Sequence, residues 1–133
     1  MSFNLFDRVL YINLNHRKDR NQTFLREANR VGIEKVHRIE ATFDLLNGAR
    51  GCLRSHIRAL ECAKQEEITL ILEDDCCFTT DLKLLKKEIV RFFETFTNKW
   101  DVFFLGGRYV NKNKVEGKDF FRIKRSGDSH AYA

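Results

Sequence analysis

Short apolar runs of strand length alternate along the chain with segments whose apolar residues recur at helical spacing. This pattern predicts strands at 8–14, 36–41, 68–72 and 101–105 and helices at 20–31, 52–64 and 81–97. The mainly apolar run ITLIL at 68–72 is typical of a strand covered on both faces, and we expect it to be the central one. The alternation predicts an α/β fold in which helices flank a mainly parallel sheet.

Each predicted helix carries apolar residues on one side. They are Phe24, Ala28 and Val31 in the first helix, Leu53, Ile57 and Leu60 in the second, and Leu82, Leu85, Ile89, Phe92 and Phe96 in the third. Gly32 is placed to end the first helix, and Thr80 or Asp81 can cap the third. Helices with these faces can cover the sheet.

The last quarter of the chain has a weaker pattern. Gly106 and Gly107 precede the polar stretch NKNKVEGKD, and a plain turn or a close approach of a ligand to the backbone would explain the two glycines equally well. Two short strand candidates, FFRIKR and HAYA, follow. Proline, internal repeats and linker-like segments are absent from the sequence, so we predict one domain spanning 1–133.

Composition narrows the classes of partner. Hydrophobic residues make up 43% of the chain, including 12 Phe, which is enough for a packed core. Lys and Arg number 24 against 19 Asp and Glu, so the net charge of +5 favours anionic partners such as nucleotides, phosphates or nucleic acid. The basic residues form no run typical of a nucleic-acid arm, and solvated surface is the simpler interpretation.

Neither an apolar stretch of about 18 residues nor a signal-like start is present, so a cytoplasmic location is predicted. The four cysteines lack the spacing of a disulfide framework or a zinc knuckle. Free, mostly buried thiols are therefore expected, and zinc bound by these four residues is not.

Three consecutive acidic residues follow the predicted central strand. In open α/β sheets, ligands collect beyond the carboxyl ends of the strands, where Glu73, Asp74 and Asp75 would lie. Neighbouring carboxylates repel one another, and a hard divalent cation such as Mg²⁺ or Mn²⁺ would relieve that repulsion. The alternative is a solvated turn whose acids cap the following segment.

Other polar residues fall at the same predicted edge. Arg17 and Arg20 could both reach an anion near the start of the first helix, although a solvated helix start is the simpler alternative. Ser55 and His56 in the second helix could hydrogen-bond a base, a ribose or a phosphate. A lone histidine is more often a satisfied structural group.

Taken in order, the segments YINLNHRKDR, GCLRSHIRALECA, ILEDD, WDVFFLGG and HAYA resemble glycosyltransferase family 25, which contains lipopolysaccharide and procollagen galactosyltransferases. The resemblance runs from about Arg8 to Ala133 and is specific as a set. It implies a GT-A-like (Rossmann-like) fold and inverting transfer of a hexose, usually galactose, from a UDP-sugar. Family members continue past the HAYA segment, so the chain is expected to be short at its C-terminal end.

The resemblance also implies roles for individual residues. Asp75 and Glu73 would bind Mn²⁺ or Mg²⁺, and the donor would contact Asn13, Leu14, Arg17, Arg20, Ser55, His56 and Asp74. Asp44 and Asp128 are carboxylates near predicted strand ends and are both candidates for the catalytic base, which could also lie in sequence beyond this chain. The expected acceptor is a glycan or a lipid-linked saccharide, with peripheral membrane association allowed and no nucleic acid involved.

Two other functions stay open at this point. The first is a non-catalytic nucleotide-sugar-binding remnant of the same fold, which the short C-terminal end favours. The second is a small nucleic-acid-binding protein, which depends on the net charge of +5 alone.

Overall fold

The fold is taken from a computed structural model that describes residues 2–65, 67–97, 99–115 and 120–133, without the side chains of 2, 107–111 and 124–130. A short 3₁₀ helix at Ser2–Leu5 comes first. Within these residues, the strands are β1 (Arg8–Asn13), β2 (His37–Glu40), β3 (Thr69–Glu73), β4 (Phe104–Lys114) and β5 (Phe121–Tyr132). The α-helices in the same described ranges are α1 (Lys18–Val31), α2 (Gly48–Cys62) and α3 (Leu82–Phe96).

The strands form one mixed sheet in the order β2-β1-β3-β5-β4. β1 pairs in parallel with both β2 and β3, whereas β5 is antiparallel to both β3 and β4. The predicted α/β class and the central position of β3 are confirmed. Four of the five strands point the same way, because β4, which is antiparallel to β5, runs in the direction of β3.

The predicted position of the fourth strand is wrong. The prediction places this strand at 101–105, but β4 begins at Phe104, and β5 lies between β4 and β3. Gly106 and Gly107 are strand residues rather than a turn, since the polar segment after them continues β4 as one arm of a hairpin with β5. An antiparallel hairpin satisfies the backbone of both arms locally, which allows this polar stretch to be a strand.

Side chains alternate between two core layers. Val9 and Tyr11 of β1 lie in the cluster that contains the buried residues of α1 and Ile89 of α3. Leu10 and Ile12 lie in the cluster that contains Ala59 of α2. Helices α1 and α3 therefore cover one face of the sheet and α2 covers the other. In β3, Leu70, Ile71 and Leu72 are at most 2% exposed, as expected for a strand covered on both faces.

The helix ends follow local signals. Gly32 adopts the left-handed conformation, with φ at 84°, and ends α1 as predicted. Of the two residues proposed to cap α3, Asp81 is the cap, and its carboxylate accepts a hydrogen bond of 2.9 Å from the backbone N–H of Leu84. Among the described residues, none of the helices has the length and apolar character needed to cross a membrane.

Helix α2 packs differently from the other two helices. Its buried residues are the small Gly51, Ser55 and Ala59, at spacings of four, which allow the helix to approach the sheet closely. The larger apolar residues that revealed the helix lie on the outer side, with exposures of 61% for Leu53, 46% for Ile57 and 54% for Leu60. Their spacing therefore predicted the helix but not its buried face.

The cysteines depart from the expectation of mostly buried thiols. Cys52, Cys62 and Cys77 are exposed and Cys76 is half-buried, and all four are free. Burial raises the pKa of the Cys76 thiol to about 12, so this thiol stays protonated at neutral pH.

The contact between α2 and the 41–44 loop gives a first prediction. A Cβ atom on Gly51 would lie 2.8 Å from the backbone oxygen of Thr42, so Gly51→Ala should force the helix away from the loop. We expect a loss of about 1–3 kcal/mol in the free energy of unfolding, measured by urea denaturation. Gly48→Ala is the matched control because a Cβ there meets nothing within 4 Å, and that variant should be neutral or slightly stabilised. Equal effects of the two variants would contradict the close approach.

Candidate functional site

A cavity of about 280 Å³ opens where the carboxyl ends of β1 and β3 meet α2 and the 41–44 loop. Carboxyl ends of parallel strands share one edge of a sheet, which brings together residues that are distant in sequence. The residues predicted from the sequence that line this cavity are Leu14, Arg20, Asp44, Ser55, His56, Glu73, Asp74 and Asp75. Asn13 and Arg17 are not in this lining, and the side chain of Asp128 lies outside the described part of the chain.

Asp74 is a buried carboxylate held by neighbouring side chains. Its Oδ2 accepts a hydrogen bond of 2.7 Å from Nδ2 of Asn13, and its Oδ1 lies 3.4 Å from Nη1 of Arg20. The residue is 8% exposed, so these charge-assisted contacts offset the cost of removing the carboxylate from water. Asp74 is therefore fixed in place at the floor of the cavity.

Asn13 lies behind the cavity. It is 2% exposed, and its Nδ2 donates to Asp74 and, at 3.2 Å, to the backbone oxygen of Arg17. Its Oδ1 accepts from Nε of Arg38 at 3.0 Å. The Asn13 amide is thus already engaged with the protein, and in this structure it positions Asp74 and Arg38.

Asp75 is the more accessible of the two aspartates. Its side chain is 45% exposed, against 10% for that of Asp74, and its Oδ2 lies 3.5 Å from Nη1 of Arg20. Arg20 therefore contacts both aspartates from α1. The Arg17 guanidinium instead makes two hydrogen bonds to Asp19, of 2.9 and 2.7 Å. Of the two predicted arginines, Arg20 is therefore the one that lines the cavity.

Glu73 is turned toward α2. Its Oε1 lies 2.9 Å from Nε2 of His56, and the other ring nitrogen, Nδ1, lies 2.9 Å from the hydroxyl of Tyr132 in β5. Burial and the negative charge of Glu73 raise the pKa of Tyr132 to about 12, so its hydroxyl keeps its proton and can donate it to Nδ1. A neutral His56 then donates from Nε2 to Glu73.

Ser55 fastens α2 to the neighbouring loop. Its Oγ donates to the backbone oxygen of Gly51 at 2.7 Å and accepts from the backbone N–H of Thr42 at 2.8 Å. The residue is 2% exposed, so both functions of its hydroxyl are satisfied by the protein. Although Ser55 lines the cavity, its hydrogen bonds are structural.

Neither candidate base is identified by the geometry. Asp44 accepts hydrogen bonds from Arg50 and from the backbone N–H groups of Leu46 and Asn47, and the Arg50 guanidinium holds the pKa of that carboxyl below its usual range. A carboxylate with a lowered pKa is a weaker general base. Asp128 belongs to β5, and its side chain lies outside the described part of the chain.

Among the described residues, Cys52, Arg38 and Tyr132 contribute polar groups at the site but carried no assignment from the sequence. Cys52 precedes His56 by four positions on α2, a spacing that places two potential metal ligands on one helix face. That spacing is the signal that could have identified it. Arg38 and Tyr132 are ordinary strand residues in the sequence, and only the sheet order brings them to the site.

The carboxylates of Glu73, Asp74 and Asp75 do not converge on one point. Within the described residues, the group of three potential ligand atoms that lie within 4.8 Å of one another consists of Cys52, His56 and Glu73. Mg²⁺ and Mn²⁺ need only one or two carboxylates, with water and phosphate completing the coordination. The accessible Asp75 fits that requirement, whereas Asp74 is held by Asn13.

A second cavity of about 480 Å³ adjoins the first. Its lining includes Phe78, Leu85, Leu105 and Ala131, together with Asp75, which belongs to both linings. Of the described residues that line the larger cavity, Asp75 is the only charged one, whereas Arg20, His56 and Asp74 line the smaller cavity, where we place the candidate chemistry. Asp75 marks the boundary between the two.

The comparisons with known proteins add no relative: no family model matches the chain, and neither the curated proteins nor the solved structures contain a significant match.

Glu27 of α1 holds the segment that follows β3, which begins with Asp74 and Asp75. Its Oε1 accepts from the backbone N–H of Phe78 at 2.7 Å, and its carboxylate makes two further hydrogen bonds of 2.7 Å with Arg30. Arg30 and this backbone contact lower the pKa of the Glu27 carboxyl from its usual value of 4.5. The ionised carboxylate therefore stabilises the folded state.

Glu27→Gln should lower the free energy of unfolding by about 1–2 kcal/mol at pH 7, since it weakens hydrogen bonds to a charged group. Because the folded-state pKa is depressed, the contribution of Glu27 is present above about pH 4.5 and is lost as the pH falls through the folded-state pKa. Denaturation curves of parent and variant should converge in acid. A difference that stays constant down to pH 2 would contradict this assignment.

Proposed function

We propose that the protein is a glycosyltransferase with a GT-A-like fold that transfers a hexose, galactose in the first place, from a UDP-sugar to a hydroxyl group. The acceptor is a glycan or a lipid-linked saccharide. The transfer inverts the configuration at the anomeric carbon and is assisted by Mn²⁺ or Mg²⁺. The observation that carries the proposal is the single cavity at the carboxyl ends of β1 and β3 that brings together Arg20, His56 and Asp75. The resemblance to family 25 supplies the choice of donor.

The charge of the cavity supports the need for a cation. Among the described lining residues, four are carboxylates, Asp44, Glu73, Asp74 and Asp75, and one, Arg20, is a guanidinium. A diphosphate approaching this surface alone would be repelled. With a divalent ion bound, the same carboxylates would anchor the donor diphosphate.

Asp75 would hold that ion, and Glu73, whose carboxylate is turned toward His56, would add negative charge from nearby. When bound, the ion supplies positive charge that stabilises the departing UDP. Asp74 acts as a positioning residue, because Asn13 and Arg20 fix its carboxylate next to Asp75. Arg20 already lies within 3.5 Å of both aspartates and can exchange part of that contact for a donor phosphate oxygen.

The second cavity gives the acceptor a plausible approach. It meets the donor cavity at Asp75, so a hydroxyl entering there would lie near the bound sugar. Its apolar lining, which includes Leu85 and Leu105, can pack against the face of a sugar ring or a lipid-linked segment. The base stays unassigned between Asp44, Asp128 and a residue beyond this chain. The cytoplasmic location and peripheral membrane association stay predictions.

Calorimetric titration of UDP in the presence of Mn²⁺, followed by assays of sugar transfer and UDP-sugar hydrolysis, tests the proposal. Binding with turnover supports the transferase. Binding without turnover favours the alternative, a non-catalytic nucleotide-sugar-binding protein, for which the engagement of Asp44 with Arg50 is the supporting observation. Salt-dependent affinity for DNA or RNA that UDP does not displace would favour the nucleic-acid-binding alternative instead.

A further inference from the structure

We propose that Cys52, His56 and Glu73 form a binding site for a thiophilic divalent cation, of which Zn²⁺ is the physiological representative. The inference goes beyond the proposed function and does not depend on it. It rests on the convergence of a sulfur, a nitrogen and an oxygen donor whose atoms lie within 4.8 Å of one another at the wall of the smaller cavity.

The secondary structure sets this arrangement. Cys52 and His56 are four residues apart on α2, so they project from the same face of the helix. Glu73 is the last residue of β3 and meets that face from the sheet, with its Oε1 at 2.9 Å from Nε2 of His56. Two rigid elements therefore supply the three donors, which lowers the entropy lost when an ion is bound.

The distances suit a tetrahedral ion after small side-chain rotations. Zinc bonds of about 2.0–2.3 Å separate the ligand atoms of a tetrahedral site by roughly 3.3–3.8 Å. The distance between Nε2 of His56 and Oε1 of Glu73 would increase by less than about 1 Å, and the sulfur of Cys52 would approach them by at most about 1.5 Å from the 4.8 Å limit. The backbone need not move.

Tyr132 holds the ring nitrogen of His56 that faces away from the proposed ion. Metal ligation by histidine usually requires that the other ring nitrogen be held by a hydrogen-bond partner, which fixes the tautomer and the ring orientation. The Tyr132 hydroxyl lies 2.9 Å from Nδ1 of His56 and its ring stacks on the imidazole, with ring centroids 5.7 Å apart. An ion at Nε2 would require the other neutral tautomer, in which the imidazole proton has moved by exchange with water from Nε2 to Nδ1. Nδ1 would then donate to the Tyr132 oxygen, whose own hydrogen would turn away.

The donor set selects the metal. A thiolate with an imidazole favours Zn²⁺ over Mg²⁺ and Mn²⁺, which prefer oxygen ligands. Three protein ligands leave the fourth position to water or to a ligand in the cavity, as at zinc sites that take part in chemistry. Cys52 is exposed, so an ion can reach the site from solvent and the thiol proton can leave as it binds.

The test uses the whole chain, kept reduced with a phosphine and without UDP. Titration with Co²⁺ should produce thiolate-to-cobalt charge-transfer absorption in the near ultraviolet at one equivalent, and Zn²⁺ should displace the cobalt. Competition with a chromophoric chelator gives the Zn²⁺ affinity. Cys52→Ser should remove the charge-transfer band and weaken Zn²⁺ binding by more than about 100-fold, beyond the 10–100-fold typical of changes to residues that only orient ligands.

Cys62→Ser and Cys77→Ser are matched controls, because both thiols are exposed and neither belongs to the cluster. They should keep the band and the affinity. Circular dichroism without metal checks that each variant is folded, and Zn²⁺ should raise the thermal midpoint of the parent and the controls but not of Cys52→Ser. The proposal would be overturned if the charge-transfer band were lost in Cys62→Ser or Cys77→Ser instead of in Cys52→Ser. It would also be overturned if either Cys52→Ser or Glu73→Gln bound Zn²⁺ with the affinity of the parent. Failure of UDP binding would leave this result unaffected.

Discussion

Replacing Asp75 with Asn is expected to abolish Mn²⁺-dependent UDP binding and leave the fold intact. The substitution keeps the shape of the side chain and removes one negative ligand from the boundary of the two cavities. The contact of Asp75 with Arg20 is a partly exposed ion pair at 3.5 Å, and ion pairs of that kind contribute at most about 1 kcal/mol to the free energy of unfolding, so the variant should stay folded. Loss of a direct metal ligand should weaken binding by at least about 100-fold.

Isothermal calorimetry with UDP, in Mn²⁺ and again with a chelator, measures this effect. Asp101→Asn is the matched control, since Asp101 is exposed and lies in neither cavity lining. It should bind UDP as the parent does. If Asp75→Asn bound UDP as tightly as the parent, with the same response to the chelator, the acidic residues would be a solvated turn and the proposed donor site would lose its main physical support.

Elements with strong local signals could be predicted from the sequence. The central position of β3 was predicted from its apolar run, which is typical of a strand covered on both faces. The end of α1 was predicted from Gly32. The start of α3 at Leu82, after the Asp81 cap, followed in the same way. For the two helix ends, the deciding interaction lies within a few residues of the pattern.

The order of the last strands could not be predicted. Whether β4 or β5 lies next to β3 depends on pairings such as Leu72 with Ala131, which join distant parts of the chain. The polar residues of β4 carry no apolar alternation that would mark them as a strand. Helix α2 shows a related limit, because its small residues pack inward and its larger apolar ones do not.

The sequence predicted where the candidate residues meet but not which hydrogen bonds hold them. Acidic residues after β3 and Arg20 on α1 do share one cavity, because the carboxyl ends of parallel strands meet at one edge. The sequence could not show that Asn13 is engaged by Asp74, 61 residues away, or that His56 is held by Tyr132, 76 residues away. Such pairings decide which polar atoms are left for a ligand.

Leu72→Asp is expected to unfold the domain, whereas Asp75→Asn should leave the domain folded. Leu72 is 0% exposed, pairs with Tyr11 of β1 on one side and with Ala131 of β5 on the other, and belongs to the larger core cluster. An unpaired carboxylate there costs several kcal/mol in desolvation, in addition to the lost apolar contacts. That sum is comparable to the whole stability of a typical domain, about 5–15 kcal/mol.

Leu45→Asp provides the matched control for this substitution, because Leu45 is 83% exposed and the same change there buries no charge. Its urea-denaturation curve should shift by no more than about 0.5 kcal/mol. Leu72→Asp should lose the near-ultraviolet circular dichroism of the packed aromatic residues and show no cooperative unfolding transition. A cooperative transition within about 1 kcal/mol of the parent would mean that position 72 tolerates a charge. In that case β3 could not be the strand covered on both faces from which the acidic residues of the candidate site extend.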